Sequence, residues 1–152
     1  MIENYTKIYF IGIGGIGMSS LALYFLDKGK IVGGYDKTRT DLTINLKNHG
    51  ALIHYDLKIS EIPLEFRNKQ DTLIIYTPAI SKDNIELDFF IKKSYKLLKR
   101  SEALGLISRN KFCIVIAGTH GKTTTSIILS HLLYENNISF TSFVGGISEN
   151  YN

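Results

Sequence analysis

Lys7-Ile-Tyr-Phe-Ile-Gly-Ile-Gly-Gly-Ile-Gly-Met-Ser19 is the stretch that decides how this chain folds. Five strand-forming residues, Lys7–Ile11, run into Gly12-Ile-Gly-Gly-Ile-Gly17, and a helical pattern follows from about Ile16 to Lys28. The loop matches G-x-G-x-x-G with Gly15 as an extra glycine. Thirteen glycines in 152 residues give such a match by chance about once in ten chains, so context must carry the reading. Here a strand precedes the loop and a helix opens from it. A second strand, Ile31–Tyr35, closes on Asp36, 19 residues after Gly17. In the helix Leu21, Phe25 and Leu26 share one face, and Gly29 suits its C-terminal stop.

The chemistry behind this pattern is steric and electrostatic. Gly12 permits the tight turn, Gly14 lets an anion approach the backbone, and Gly17 lets the helix pack on the strand. The unpaired N–H groups of the first helical turn then face a diphosphate. The motif alone leaves that diphosphate open, because NAD, FAD and a UDP-sugar all join pyrophosphate to ribose. Asp36 could accept from a ribose hydroxyl or from a base N–H.

Outward from this unit, β-rich runs alternate with helical ones, which predicts a Rossmann-like parallel α/β sheet. A helix is expected over Asp41–Asn48, a short strand near Leu52–His54, and then a polar stretch with Pro63. Thr72–Tyr76 is apolar without alternation and predicts a strand buried on both faces, ended by Thr77-Pro78. A helix near Asn84–Lys93, a strand near Tyr95–Lys99 and a helix near Glu102–Ser108 complete a first domain, residues 1–108.

Residues 109–152 read as the beginning of a second α/β domain of P-loop type. A strand is expected over Phe112–Ala117 with Cys113 buried in it, then Gly118-Thr-His-Gly-Lys-Thr-Thr-Thr125, a helix over Thr123–Glu135, and a strand over Ile138–Val144 before Gly145-Gly146. The loop departs from the strict G-x-x-x-x-G-K-[ST] pattern, since Ile116 stands six positions before Lys122. Its chemistry is present nonetheless. Backbone N–H groups from Gly118 through Thr119, His120 and Gly121 to Thr124 can cradle phosphates of ATP, Lys122 can reach the β and γ oxygens, and the Thr123 hydroxyl can ligate Mg²⁺. His120 could brace the loop or touch nucleotide.

Composition narrows the class. A net charge of +4 is scattered, without the basic stripe and aromatic platforms that nucleic-acid binding requires. No apolar run approaches the ~18 residues that span a bilayer, and the first residues lack a leader pattern, so a cytoplasmic protein is expected. His49 and His54 have no partner at metal-ligand spacing.

Two phosphate loops about a hundred residues apart, in this order, resemble the Mur ligase family. Gly12–Ser19 is similar to its substrate loop, and Gly118–Thr125 to its short P-loop, histidine included. Tyr76-Thr-Pro-Ala-Ile-Ser81 and Lys99-Arg-Ser-Glu-Ala-Leu104 resemble further family segments, so the likeness covers essentially the whole chain. It implies an ATP- and Mg²⁺-dependent, amide-forming ligase of peptidoglycan precursor synthesis. Members that add L-alanine to UDP-N-acetylmuramate fit best. Relatives that attach a recycled tripeptide share Gly-Thr-His-Gly-Lys-Thr, but the unbroken Gly12–Gly17 loop followed by Met18-Ser19 favours the alanine-adding group.

The resemblance further implies that Gly14, Gly15, Ile16, Gly17 and Met18 meet the diphosphate, that Gly12 belongs to the same UDP-sugar-binding loop, and that Asp36 lies near uridine. Thr77, Ala79 and Ile80 would line the UDP-sugar site, while Gly118–Thr124 would hold ATP, with Lys122 catalytic and Thr123 on Mg²⁺. The family's remaining metal ligands and its amino-acid site are expected downstream of residue 152, so residues 1–152 alone are expected to bind without turnover. Two readings of other classes stand beside this one. A nicotinamide-dependent dehydrogenase suits the first loop and Asp36 but leaves the second loop without purpose. A non-catalytic nucleotide-binding module uses both loops.

Overall fold

The computed structural model describes residues 2–81, 83–109 and 111–145. The chain divides into two compact units, Met1–Arg109 and Asn110–Asn152.

The first unit is built on five parallel strands: β1 (Lys7–Ile11), β2 (Ile31–Tyr35), β3 (Leu52–His54), β4 (Thr72–Tyr76) and β5 (Lys96–Lys99). Their order across the sheet is β3-β2-β1-β4-β5. The register pairs Ile11 with Tyr35 on one side and with Tyr76 on the other, so the carboxyl ends of β1, β2 and β4 finish level. The fold class is therefore the parallel α/β sheet read from the sequence.

Helices α1 (Ile16–Asp27), α2 (Asp41–Asn48), α3 (Ile85–Lys92) and α4 (Arg100–Ser108) alternate with the strands. Alternation along β1 sends Phe10 to one face, where its ring meets Phe25 of α1 at 6.2 Å, and Tyr9 to the other. Tyr9 packs there at tilted angles against Phe66 and Phe90, at 5.2 and 5.1 Å between ring centres. Ile11, Tyr35, Ile62, Ile74 and Tyr95 close this second core. Both neighbours of α1 on its own face, α2 and α4, pack against it.

Local chemistry sets the helix ends. The Asn84 side chain accepts from the N–H groups of Glu86 and Leu87 at 3.1 and 2.9 Å, a cap that contributes about 1 kcal/mol. Thr40 and Thr43 cap α2 reciprocally. Gly29 follows α1 at φ 71°, where its N–H donates to the carbonyl of Leu26. Strand β2 carries Gly33 because the Phe66 ring lies on it. A Cβ there would stand 2.5 Å from Phe66 Cε2.

Three findings add to or depart from the sequence reading. The stretch around Pro63 holds two short 3₁₀ turns, Ile59–Glu61 and Leu64–Arg67, which deliver Ile62 and Phe66 to the core. Such segments are too short for any periodicity to register. In the second unit, neither Phe112–Ala117 nor Ile138–Val144 forms a strand. A strand exists only where a neighbour completes its ladder, and no ladder forms among the described residues of this unit. Cys113 is accordingly exposed rather than buried, beside Phe112 at 94% exposure. The helix of this unit, α5 (Lys122–Glu135), is present, and Gly146 lies outside the described residues.

Candidate functional site

The sheet order places a topological switch at β1. The chain leaves β1 toward β2 and β3 on one side, then returns to β4 and β5 on the other. Connections diverge there, and in open α/β sheets the space outside the carboxyl ends of the strands at such a point is where ligands bind. The two loops that rim it are Gly12–Gly15 and Thr77–Ser81. They interlock at Gly12, which turns at φ 87°. A Cβ on it would stand 2.8 Å from Thr77 Cγ2 and 3.1 Å from Ile80 Cδ1. Gly12 and Ile13 donate to the Tyr35 carbonyl at 2.8 and 3.1 Å, which ties the turn to β2.

Asp36 reaches across from the end of β2 and braces the loop. Its Oδ2 accepts from the Gly14 N–H at 2.7 Å, and its Oδ1 accepts from Thr38 N–H at 3.0 Å. The space at Gly14 is filled on that side: a Cβ would lie 2.9 Å from both Asp36 Oδ2 and Thr43 Cγ2. Thr43, which the sequence reading did not single out, in turn accepts from the Tyr55 hydroxyl at 3.0 Å. Only the tertiary fold joins α2 to this loop, so no local pattern marks Thr43.

Helix α1 begins at Ile16 with Gly15 as its N-cap and no side chain capping it. Met18 and Ser19 both donate to the Gly15 carbonyl, at 2.9 and 2.8 Å. Among the described residues no acceptor faces the N–H groups of Ile16 and Gly17. Met18 has a buried side chain that belongs to the core beneath the loop, whereas Ile16 is exposed. Thr77 and Ile80 are half-buried and Ala79 exposed along the opposite rim. The arrangement offers an anion two unpaired amides, at a helix start without acidic residues.

Beneath the sheet's carboxyl edge lies a buried polar chain that sequence reasoning missed. The Tyr9 hydroxyl donates to Glu86 Oε2 at 2.6 Å and stands 2.7 Å from His54 Nε2, and His54 Nδ1 is 3.0 Å from the Asp56 carbonyl. Glu86 is fully buried and its Oε1 has no hydrogen-bond partner. Burial pushes the Glu86 carboxyl up to about 7, although the Tyr9 hydrogen bond acts the other way. Burial likewise lowers the His54 pKa, against the pull of the Asp56 carbonyl. These three residues are far apart in sequence, and no spacing rule brings them together.

In the second unit, considered by itself, the loop Gly118–Gly121 leads into α5. Gly121 is the N-cap at φ 77°, a left-handed turn that a side chain would strain. Lys122 folds back over the loop, its Nζ donating to the carbonyls of Gly118 and Thr119. Thr119, His120, Thr123 and Thr124 are all exposed. The helix start has no side-chain cap and no acidic residue in its first turn. This donor set fits a nucleotide phosphate with Mg²⁺: a cation, helix-start amides and one hard hydroxyl oxygen from Thr123. Mg²⁺ takes few protein ligands and fills the rest with phosphate and water. Among the described residues no helix is long and apolar enough to cross a membrane.

Comparison with known proteins adds the relatives. Residues 7–112 match the Mur ligase family, catalytic domain. A UDP-N-acetylmuramate–L-alanine ligase of Flavobacterium psychrophilum is 52% identical over 99% of this chain and 34% of its own length. The enzyme of that name from Parabacteroides distasonis is 48% identical over 99% of this chain and 32% of its own. The crystal structure of UDP-N-acetylmuramate–alanine ligase from Thermotoga maritima superposes with a TM-score of 0.84 at 32% identity, covering 95% of this chain and 33% of that one. A murein peptide ligase from Psychrobacter arcticus gives 0.73 at 27% identity, over 86% of this chain and 27% of that one. The chain spans about a third of the length of the curated relatives it matches. With its strand–glycine loop–helix unit inside the matched residues, the chain belongs to the Mur ligase family.

Proposed function

We propose that residues 1–108 bind the UDP-sugar and residues 109–152 open the ATP-binding domain of a cytoplasmic ligase that joins L-alanine to UDP-N-acetylmuramate. The observation that carries this is the interlocked pair of loops at the switch point, with the N–H groups of Ile16 and Gly17 unpaired above them. In this reading those two amides receive the diphosphate, and Gly12, Gly14 and Gly15 shape its approach. Met18 anchors the loop from below, Asp36 braces Gly14 at the uridine end, and Thr77, Ala79 and Ile80 form the far rim.

The chemistry follows from the poor reactivity of a carboxylate. The muramyl carboxylate oxygen attacks the γ-phosphorus of ATP, and ADP leaves. The acyl phosphate so formed carries a good leaving group. The alanine amine then attacks the acyl carbon, expelling inorganic phosphate and a proton to leave an amide. Lys122 swings from the Gly118 and Thr119 carbonyls to the phosphate oxygens, where its charge offsets the negative charge building on the transferring group. Thr123 and the helix-start amides orient the phosphates, and Mg²⁺ supplies further charge neutralisation when bound.

The alanine-adding reading is favoured over tripeptide attachment by the solved structures, TM-score 0.84 at 32% identity for the alanine ligase against 0.73 at 27% for the murein peptide ligase, and is supported by the L-alanine ligases at 52% and 48% identity. A dehydrogenase reading is disfavoured because it leaves the second phosphate loop, with Lys122 poised over Gly118 and Thr119, without a purpose. Isothermal titration of the chain with UDP-N-acetylmuramate and with NAD tests the assignment. Binding of the UDP-sugar and no heat with NAD is expected; NAD binding without a UDP-sugar signal would overturn it.

A further inference from the structure

From the position of Arg100 on Gly17 we infer that its guanidinium is a second clamp on the ligand's diphosphate, opposite the amides of the glycine loop. This rests on the UDP-sugar reading of the switch point. Arg100 is the first residue of α4, which packs beside α1. A side chain in a first helical turn points back past the helix start, here toward the carboxyl edge of the sheet. It ends against α1. A Cβ on Gly17 would stand 2.8 Å from Arg100 Nη1 and 3.3 Å from its Cζ. The guanidinium thus lies along the open face of the residue whose own N–H is unpaired.

What surrounds Arg100 leaves its charge available. The nearest acid on its own helix turn, Glu102, is committed elsewhere, since its Oε2 accepts from the Lys99 backbone N–H at 2.6 Å. No carboxylate forms an ion pair with Arg100 among the described residues, and α1 has no acid in its first turn. A cation held against a helix start that already favours negative charge is electrostatically misplaced until an anion arrives. The fork of guanidinium donors matches two phosphate oxygens, which a lysine cannot reproduce. Gly17 therefore has a role beyond helix packing, because any side chain there would lift the guanidinium off its seat.

The test uses the full 152-residue chain, UDP-N-acetylmuramate as titrant, and the variants Arg100→Gln and Arg100→Lys. Arg100 is exposed, so both variants should melt within a few degrees of the parent. Loss of one charge-assisted, two-pronged contact should weaken binding about ten- to a hundredfold in Arg100→Gln, with partial recovery in Arg100→Lys. The weakening of parent binding by added salt should also become shallower in Arg100→Gln, which a merely structural brace would not change. Affinity and salt dependence equal to the parent in a folded Arg100→Gln would overturn the inference while leaving the UDP-sugar site intact. A parent chain that does not bind UDP-N-acetylmuramate would remove the site reading itself and this inference with it.

Discussion

Replacing Glu86 by glutamine should change how the stability of the first unit depends on pH, and the structure sets the size of the effect. The carboxyl is fully buried against Tyr9 and His54, with one oxygen lacking a hydrogen-bond partner. Raising it from 4.5 to about 7 makes the folded state hold that proton more tightly than the unfolded chain by about 3 kcal/mol. Between those pH values the unfolded carboxyl has lost its proton and the folded one keeps it. Stability therefore falls as pH rises through this window and levels off above it. His54 works in the opposite sense, because a lowered pKa means that the folded imidazole sheds its proton first. Its contribution rises with pH below about 6.5, so the parent profile is the sum of two opposed slopes. The side-chain amide of the Glu86→Gln variant cannot titrate. The stability of that variant minus that of the parent should climb by up to about 3 kcal/mol between pH 5 and pH 8. The assay is urea unfolding at stepped pH, followed by tyrosine fluorescence, since the chain has no Trp and Tyr9, Tyr35 and Tyr95 lie in this core. A difference that stays constant within about 0.5 kcal/mol over that range would refute the assignment of a proton to buried Glu86.

Tyr9→Phe should cost about 1–3 kcal/mol in the same unfolding assay, because it strips the donor from a buried carboxyl oxygen; a cost near zero would mean the hydrogen bond adds nothing. Gly14→Val places branched carbons where Asp36 Oδ2 and Thr43 Cγ2 already stand 2.9 Å from a Cβ. Calorimetry should show at least a roughly tenfold loss of UDP-N-acetylmuramate affinity in a chain that still folds. Lys122→Ala in a protein extended to the length of the relatives should lower ADP release by orders of magnitude and leave UDP-sugar affinity within about twofold. Coupled ADP release from residues 1–152 with saturating alanine should stay at background.

The sequence by itself determined the order and type of the elements in the first unit. Lys7–Ile11, Ile31–Tyr35 and Thr72–Tyr76 become strands where their apolar runs lie, because each is short, β-rich and bounded by a turn signal that acts locally. The glycine loop was equally legible, since the glycine spacing itself signals the turn and the helix that opens from it, although Tyr35 and Asp36 brace it from β2. Tertiary structure decided everything that required distant residues to meet. Thr77 and Ile80 interlock with Gly12 only because β4 returns to the free side of β1. Arg100 reaches Gly17 only because α4 packs beside α1. Tyr9, His54 and Glu86 share a hydrogen-bonded chain across 77 residues of separation, which no periodicity encodes. Phe112–Ala117 shows the converse: strand-forming residues specify a tendency, and the strand itself needs a partner's N–H and C=O groups to complete its ladder.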